Sequence, residues 1–124
     1  MTLSQSLPIV EVSMNRQDLL NKGFQYFAER DYERASVLFE KAINTDITFE
    51  AAYSALSETL NRMGKIDEAI PVVQRWIEVN KYDPLAHTAL SRLYVQKGMI
   101  AEAEKEMATS NFLIKQGRSA RREE

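Results

Sequence analysis

An all-α chain folded as a helix-turn-helix solenoid is what this sequence predicts, and three observations carry the prediction. The strings RDYERA, GKIDEA and GMIAEA recur at 34-residue intervals, a period that marks stacked repeats. Within each interval, apolar residues return at three- and four-residue steps, the spacing of one helix face. Capping residues, a proline and glycines stand where such helices would have to start and stop.

The register is gapless. Gly64 and Gly98, Ala35 with Ala69 and Ala103, Leu56 and Leu90, and Tyr26 with Leu60 and Tyr94 all keep the same 34-residue offset. Three units follow, 16–49, 50–83 and 84–117, each predicted as two helices. In unit one, Leu19, Gly23, Tyr26 and Phe27 mark the first helix. Tyr32, Ala35, Phe39, Ala42 and Ile43 mark the second. Asn15 and Thr48 are the expected N-caps of units one and two. Asp83-Pro84 is a cap followed by proline at the first helical position. Gly64 and Gly98 suit the left-handed residue that ends a helix. Pro71 falls inside the second helix of unit two and removes one backbone donor there. Gly117 is expected to stop the last helix, leaving 118–124 as a charged, frayed tail. Residues 1–15 read as an extended segment, because Leu7, Ile9 and Val10 are too few and too badly spaced for a helix.

Composition narrows the function. The 124 residues make one domain, with 18 acidic and 16 basic side chains and a net charge of −2. That balance argues against a nucleic-acid binder, which carries a basic stripe. The lack of cysteine excludes disulfides and thiol chemistry, and the single histidine, His87, excludes a multi-histidine metal site. No nucleophile–base pair, metal cluster or phosphate loop is recognisable, so no catalytic residue, metal or cofactor is expected, and the chain reads as a non-enzyme. The N-terminus lacks the basic and apolar regions of a signal peptide, and no run approaches a membrane span. A cytoplasmic protein without membrane insertion is the expectation. Glu102, Glu104 and Glu106 alternate around a helix and read as a solvated face rather than a cation site. His87 is read as a packing residue between helices.

The residues that hold the register resemble the tetratricopeptide repeat. The likeness covers about 16–117, with His87, Leu90-Ser91, Tyr94, Ala103 and Met107 in unit three. Unit two offers Tyr53, Leu56-Ser57, Leu60, Ala69 and Val73, and unit one Leu19, Gly23, Tyr26, Ala35 and Phe39. In unit two, Trp76 stands where the family keeps an alanine, so it is expected to push the neighbouring helix outward.

Resemblance to this family implies a stack whose first helices line a concave face that binds a segment of another protein. The implied peptide-binding positions are Leu20, Phe24 and Phe27 in unit one and Ala51, Ser54, Ala55, Glu58 and Arg62 in unit two. Unit three supplies Leu85, Thr88, Ala89, Arg92 and Val95. Their chemistry suits an extended or short helical segment with one or two large apolar anchors. Burying one such anchor gives about 1.5–3 kcal/mol, and a few of them, after ordering costs, suggest affinity on the order of micromolar. Family members that grip the C-terminal carboxylate of heat-shock chaperones use lysine, asparagine and arginine at positions that here are Leu20, Phe24, Ala55, Leu85 and Ala89. None of these donates a side-chain hydrogen bond, which argues against that ligand. Adaptors, assembly factors and secretion chaperones remain. The alternative is a structural subunit, or a homo-oligomer formed through the C-terminal helix, with Phe112 and Leu113 at the interface.

Overall fold

The computed structural model describes residues 14–123. The extended segment expected over 1–15 therefore lies, apart from Met14 and Asn15, outside the described residues. Six helices follow in order: α1 Arg16–Ala28, α2 Tyr32–Thr45, α3 Glu50–Arg62, α4 Ile66–Val79, α5 Pro84–Gln96 and α6 Ile100–Glu123. Each packs against its sequence neighbour, and α1 also reaches α3. Among the described residues there is no strand.

Short-range chemistry sets the boundaries. Asn15 caps α1 in a reciprocal box: its side chain accepts from the Asp18 N–H at 2.9 Å, and Asp18 accepts from the Asn15 N–H at 3.3 Å. Asp31 caps α2, and Asp83 caps α5 by accepting from the Leu85 N–H at 2.9 Å. Thr48 does not cap α3, contrary to the sequence expectation. Its N–H and hydroxyl both donate to Asp46, at 3.0 and 2.7 Å, and Phe49 begins the helix without a side-chain cap. These bonds, with that from Arg16, hold the Asp46 carboxyl below its usual range.

The three hinges share one geometry. Arg30, Gly64 and Gly98 adopt φ of 64°, 75° and 81°. The following residue, Asp31, Lys65 or Met99, donates its N–H back to the carbonyl of Tyr26, Leu60 or Tyr94 at 2.9, 2.9 and 2.8 Å. This is the left-handed stop of a helix, and Arg30 makes it without glycine.

The core is one continuous cluster running from Leu19 to Leu93, with Phe39, Ile43, Val73, Ala52 and Ala86 fully enclosed. A Cβ added to Gly23 would sit 2.4 Å from the Phe39 ring, so only glycine allows α1 and α2 to cross that closely. Trp76 is 4% exposed and belongs to this cluster. Its indole N–H donates to Glu50 Oε1 at 2.9 Å, so the large ring is taken into the packing of α4 against α3 within unit two with its polar atom satisfied.

Gly117 does not stop the last helix. α6 runs through it to Glu123, because the flanking Lys115, Gln116, Arg118 and Ala120 are helix formers. The expected separate tail is therefore the end of α6.

Candidate functional site

The first helix of each unit carries the positions implied as peptide-binding, and burial divides them. Leu20 and Ala55 are 5% and 7% exposed, so they lie beneath the surface rather than on it. Phe24 is 47% exposed, braced edge-on by Phe39 with ring centres 5.2 Å apart. Phe27 is half-buried, edge-on to Tyr32 at 5.2 Å, with the Arg62 guanidinium 5.6 Å above its ring. Thus α1 and α3 are joined across this face by a cation over an aromatic ring.

The middle is small and open. Ala51 and Ser54 are exposed, and beside them Arg62 Nε donates to Glu58 at 2.9 Å. Bonding to Glu58, then to Tyr32, raises the Arg62 pKa further and keeps it cationic. In α5, Leu85 and Val95 are 67% and 54% exposed. Arg92 is exposed and has no ion-pair partner among the described residues. Thr88 and Ala89 are half-buried, and Thr88 shares a 2.7 Å hydrogen bond with Ser110 of α6. Among the described residues the face therefore presents apolar groups at both ends, small residues and the Arg62–Glu58 ion pair in the middle, and Arg92 as an unpaired cation.

Behind it sit two polar clusters that sequence reasoning missed. Glu50 accepts from Trp76 and Asn80. Burial pushes the Glu50 carboxyl up, but the bonds from Trp76, Asp83 and Asn80 outweigh it and leave the pKa lowered. Burial and the neighbouring Glu50 push Asp83 up. The signal was Trp76 at an alanine position, which demands an acceptor for its N–H. In the second cluster, His87 is 8% exposed, with Nδ1 2.7 Å from Glu106 Oε2 and Nε2 3.0 Å from the Lys81 carbonyl. His87 thus packs between helices as expected, while Glu106 is its partner and not simply solvated.

A surface hollow of about 580 Å³ lies elsewhere, between Lys22, Tyr26, Arg34, Val37 and Met63. It is shallow and contains no position of the inner face. Among the described residues there is no group of three side chains fit to hold a metal, and no helix long and apolar enough to cross a membrane. On α6, Phe112 is 59% exposed and Leu113 half-buried.

Solved structures share this architecture. MamA superposes with a TM-score of 0.81 at 20% identity, over 85% of this chain and 61% of that one. The chain thus spans less than two thirds of MamA. The Yersinia enterocolitica type III secretion translocator chaperone SycD matches at 0.76 and 23% identity, over 80% of this chain and 74% of that one. The first repeat domain of Spaghetti (RPAP3), solved with an HSP90 peptide, matches at 0.75 and 18% identity, over 80% and 79%. No curated protein sequence matches the chain. The tetratricopeptide repeat pattern itself matches residues 26–93, more than half the chain. The chain belongs to the tetratricopeptide repeat family.

Proposed function

We propose that this chain is a non-catalytic binding module that holds an extended or short helical segment of another protein along the inner face of α1, α3 and α5. The observation that carries the reading is the exposure of Phe24, Leu85 and Val95 at the two ends of a face floored by small residues. Large exposed apolar groups flanking an open strip suit a guest with two apolar anchors. Similarly folded chains support the reading: SycD has been solved with a peptide of the translocator YopD, and RPAP3 repeats with an HSP90 peptide. A chaperone-tail carboxylate is not the ligand proposed here. Leu20 and Ala55 are buried, and Phe24, Leu85 and Ala89 offer no donor. A cytoplasmic adaptor, assembly factor or chaperone is the role that fits, with no cofactor and no nucleic acid.

The second reading, a structural subunit, draws on the exposed Phe112. A pull-down from the native host separates the two. Phe24→Ala and Arg92→Glu each lose the partner under the binding reading, and Phe112→Glu does not. Phe24→Ala should weaken a purified partner segment about 10- to 100-fold, the equivalent of one buried aromatic side chain. Equal recovery of the same partners by wild type and both inner-face variants would sink the groove.

A further inference from the structure

The two ends of the stack differ in a way the groove does not use. In the first helices, three positions per unit face the preceding unit. In α3 and α5 these are Ala52, Leu56 and Thr59, and Ala86, Leu90 and Leu93, all buried. The matching residues of α1 are Asp18, Lys22 and Gln25, all exposed and polar. The front of the stack is thus closed by charge. The back is not. Phe39 and Val73 are 0% exposed, while Met107 in the same register is 37% exposed, with Ile100 and Ile114 at 51% and 38%. These three sit seven residues apart and form one stripe along α6, about 27 Å from Ile100 to Arg118 at the helical rise.

We infer that this stripe pairs with the same stripe of a second copy, the two α6 helices running antiparallel about a twofold axis at Asn111. Charge sets both the occupant and the direction. On the open side of α6, Glu104 lies towards the N-terminal end and Lys115 and Arg118 towards the C-terminal end, all exposed and without an ion-pair partner among the described residues. Antiparallel pairing places Glu104 of one copy beside Arg118 of the other, twice, with Met107 against Ile114 and the two Asn111 amides facing each other. A parallel pair would set Glu104 beside Glu104 and Arg118 beside Arg118, which like-charge repulsion opposes. Head-to-tail stacking would press the apolar stripe onto the exposed Asp18, Lys22 and Gln25, which costs the desolvation of both charges. A closed, self-complementary pair avoids both. A single buried polar residue at the centre of such a seam fixes its register. Phe112 lies about 140° around the helix from Met107 and takes no part.

The test uses the full chain, in sedimentation or light scattering from about 1 to about 100 µM. The wild type forms a reversible dimer. Met107→Glu weakens it at least about tenfold with unchanged helical circular dichroism, since that side chain is already part exposed. Glu104→Arg weakens it too, and adding Lys115→Glu and Arg118→Glu to the same chain restores it. Because the chain has no cysteine, Asn111→Cys oxidises to a covalent dimer while Phe112→Cys does not. A strict monomer overturns the pairing, as does a dimer indifferent to Met107→Glu, or open-ended growth. A monomer that dimerises only after removal of 1–13 also overturns it, by assigning the stripe to the chain's own N-terminal segment.

Discussion

Unit one and unit three close the same helix crossing by opposite means. In unit one, Gly23 lies against the ring of Phe39, so closely that a Cβ would come within 2.4 Å, and Phe39 is fully buried. In unit three, Ser91 stands in the place of Gly23, and its hydroxyl donates to the Ala103 carbonyl at 2.7 Å. Its counterpart of Phe39 is Met107, part exposed. The first crossing is held by shape, the last by a hydrogen bond. A repeat register therefore fixes where the helices meet without fixing how, and the covering of a position depends on whether another unit follows.

The sharpest way to break that contrast is to truncate the same register position at both ends. Phe39→Ala should cost about 3–5 kcal/mol, the range for an enclosed aromatic. Met107→Ala, in dilute protein, should cost under about 1 kcal/mol, as surface changes do. Urea denaturation of each measures both, and comparable losses would show that the two crossings are not different in kind. The next largest effect is overpacking. Gly23→Ser should cost about 1–3 kcal/mol, because the Phe39 ring has no room to retreat. Unit two solves the same crossing with Ser57 and Val73, so adding Phe39→Val should recover part of the loss. A double-mutant cycle reads this as an interaction energy of about 1 kcal/mol or more. Strict additivity would mean the pair is not coupled.

The contrast also marks what the sequence could say. Helix positions, hinges and the small crossing residues were legible because each follows from local rules: Asn15 caps, Gly64 and Gly98 turn left-handed, Gly23 permits approach. Thr48 misled because Asp46, two residues earlier, captured its donors. Gly117 misled because the helix formers on either side of it carry α6 through to Glu123. The inner face was legible as a set of positions but not as a surface. Leu20 and Phe24 read alike in sequence, and only packing shows that one is enclosed and the other open. The polar clusters at Trp76 and His87 join residues from different helices, which no local pattern encodes.

A smaller effect separates the hinges. Arg30 holds φ of 64° where the later hinges use glycine. A left-handed residue with a Cβ costs about 1–2 kcal/mol, offset partly by the smaller entropy that arginine loses on folding relative to glycine. Arg30→Gly should therefore stabilise by about 0.5 kcal/mol, seen as a small rise in melting temperature. Gly64→Arg should do the reverse, and a loss at both sites would show that Arg30 is held by its side chain rather than tolerated.

The smallest effect lies at the junction of units two and three, and pH gives it a sign. The Asp83 pKa is raised by burial and by Glu50, so its contribution is present at low pH and lost as pH rises through the raised value. Glu50 behaves oppositely: its pKa is lowered, so its contribution is present above the ordinary carboxylate range and lost as pH falls. At neutral pH, Asp83 is the partner that costs stability. Asp83→Asn keeps an oxygen for the Leu85 N–H and offers Glu50 an amide donor in place of a second carboxylate. It should gain a few tenths of a kcal/mol at neutral pH, small because solvent screens the pair, and the gain should shrink as acid protonates Asp83 in the wild type. Thermal melts of both proteins across the acidic to neutral range measure the difference. A loss at neutral pH would mean that an ionised Asp83 at the start of α5 stabilises the helix dipole more than Glu50 repels it, and the two carboxylates would then be independent caps rather than one coupled pair.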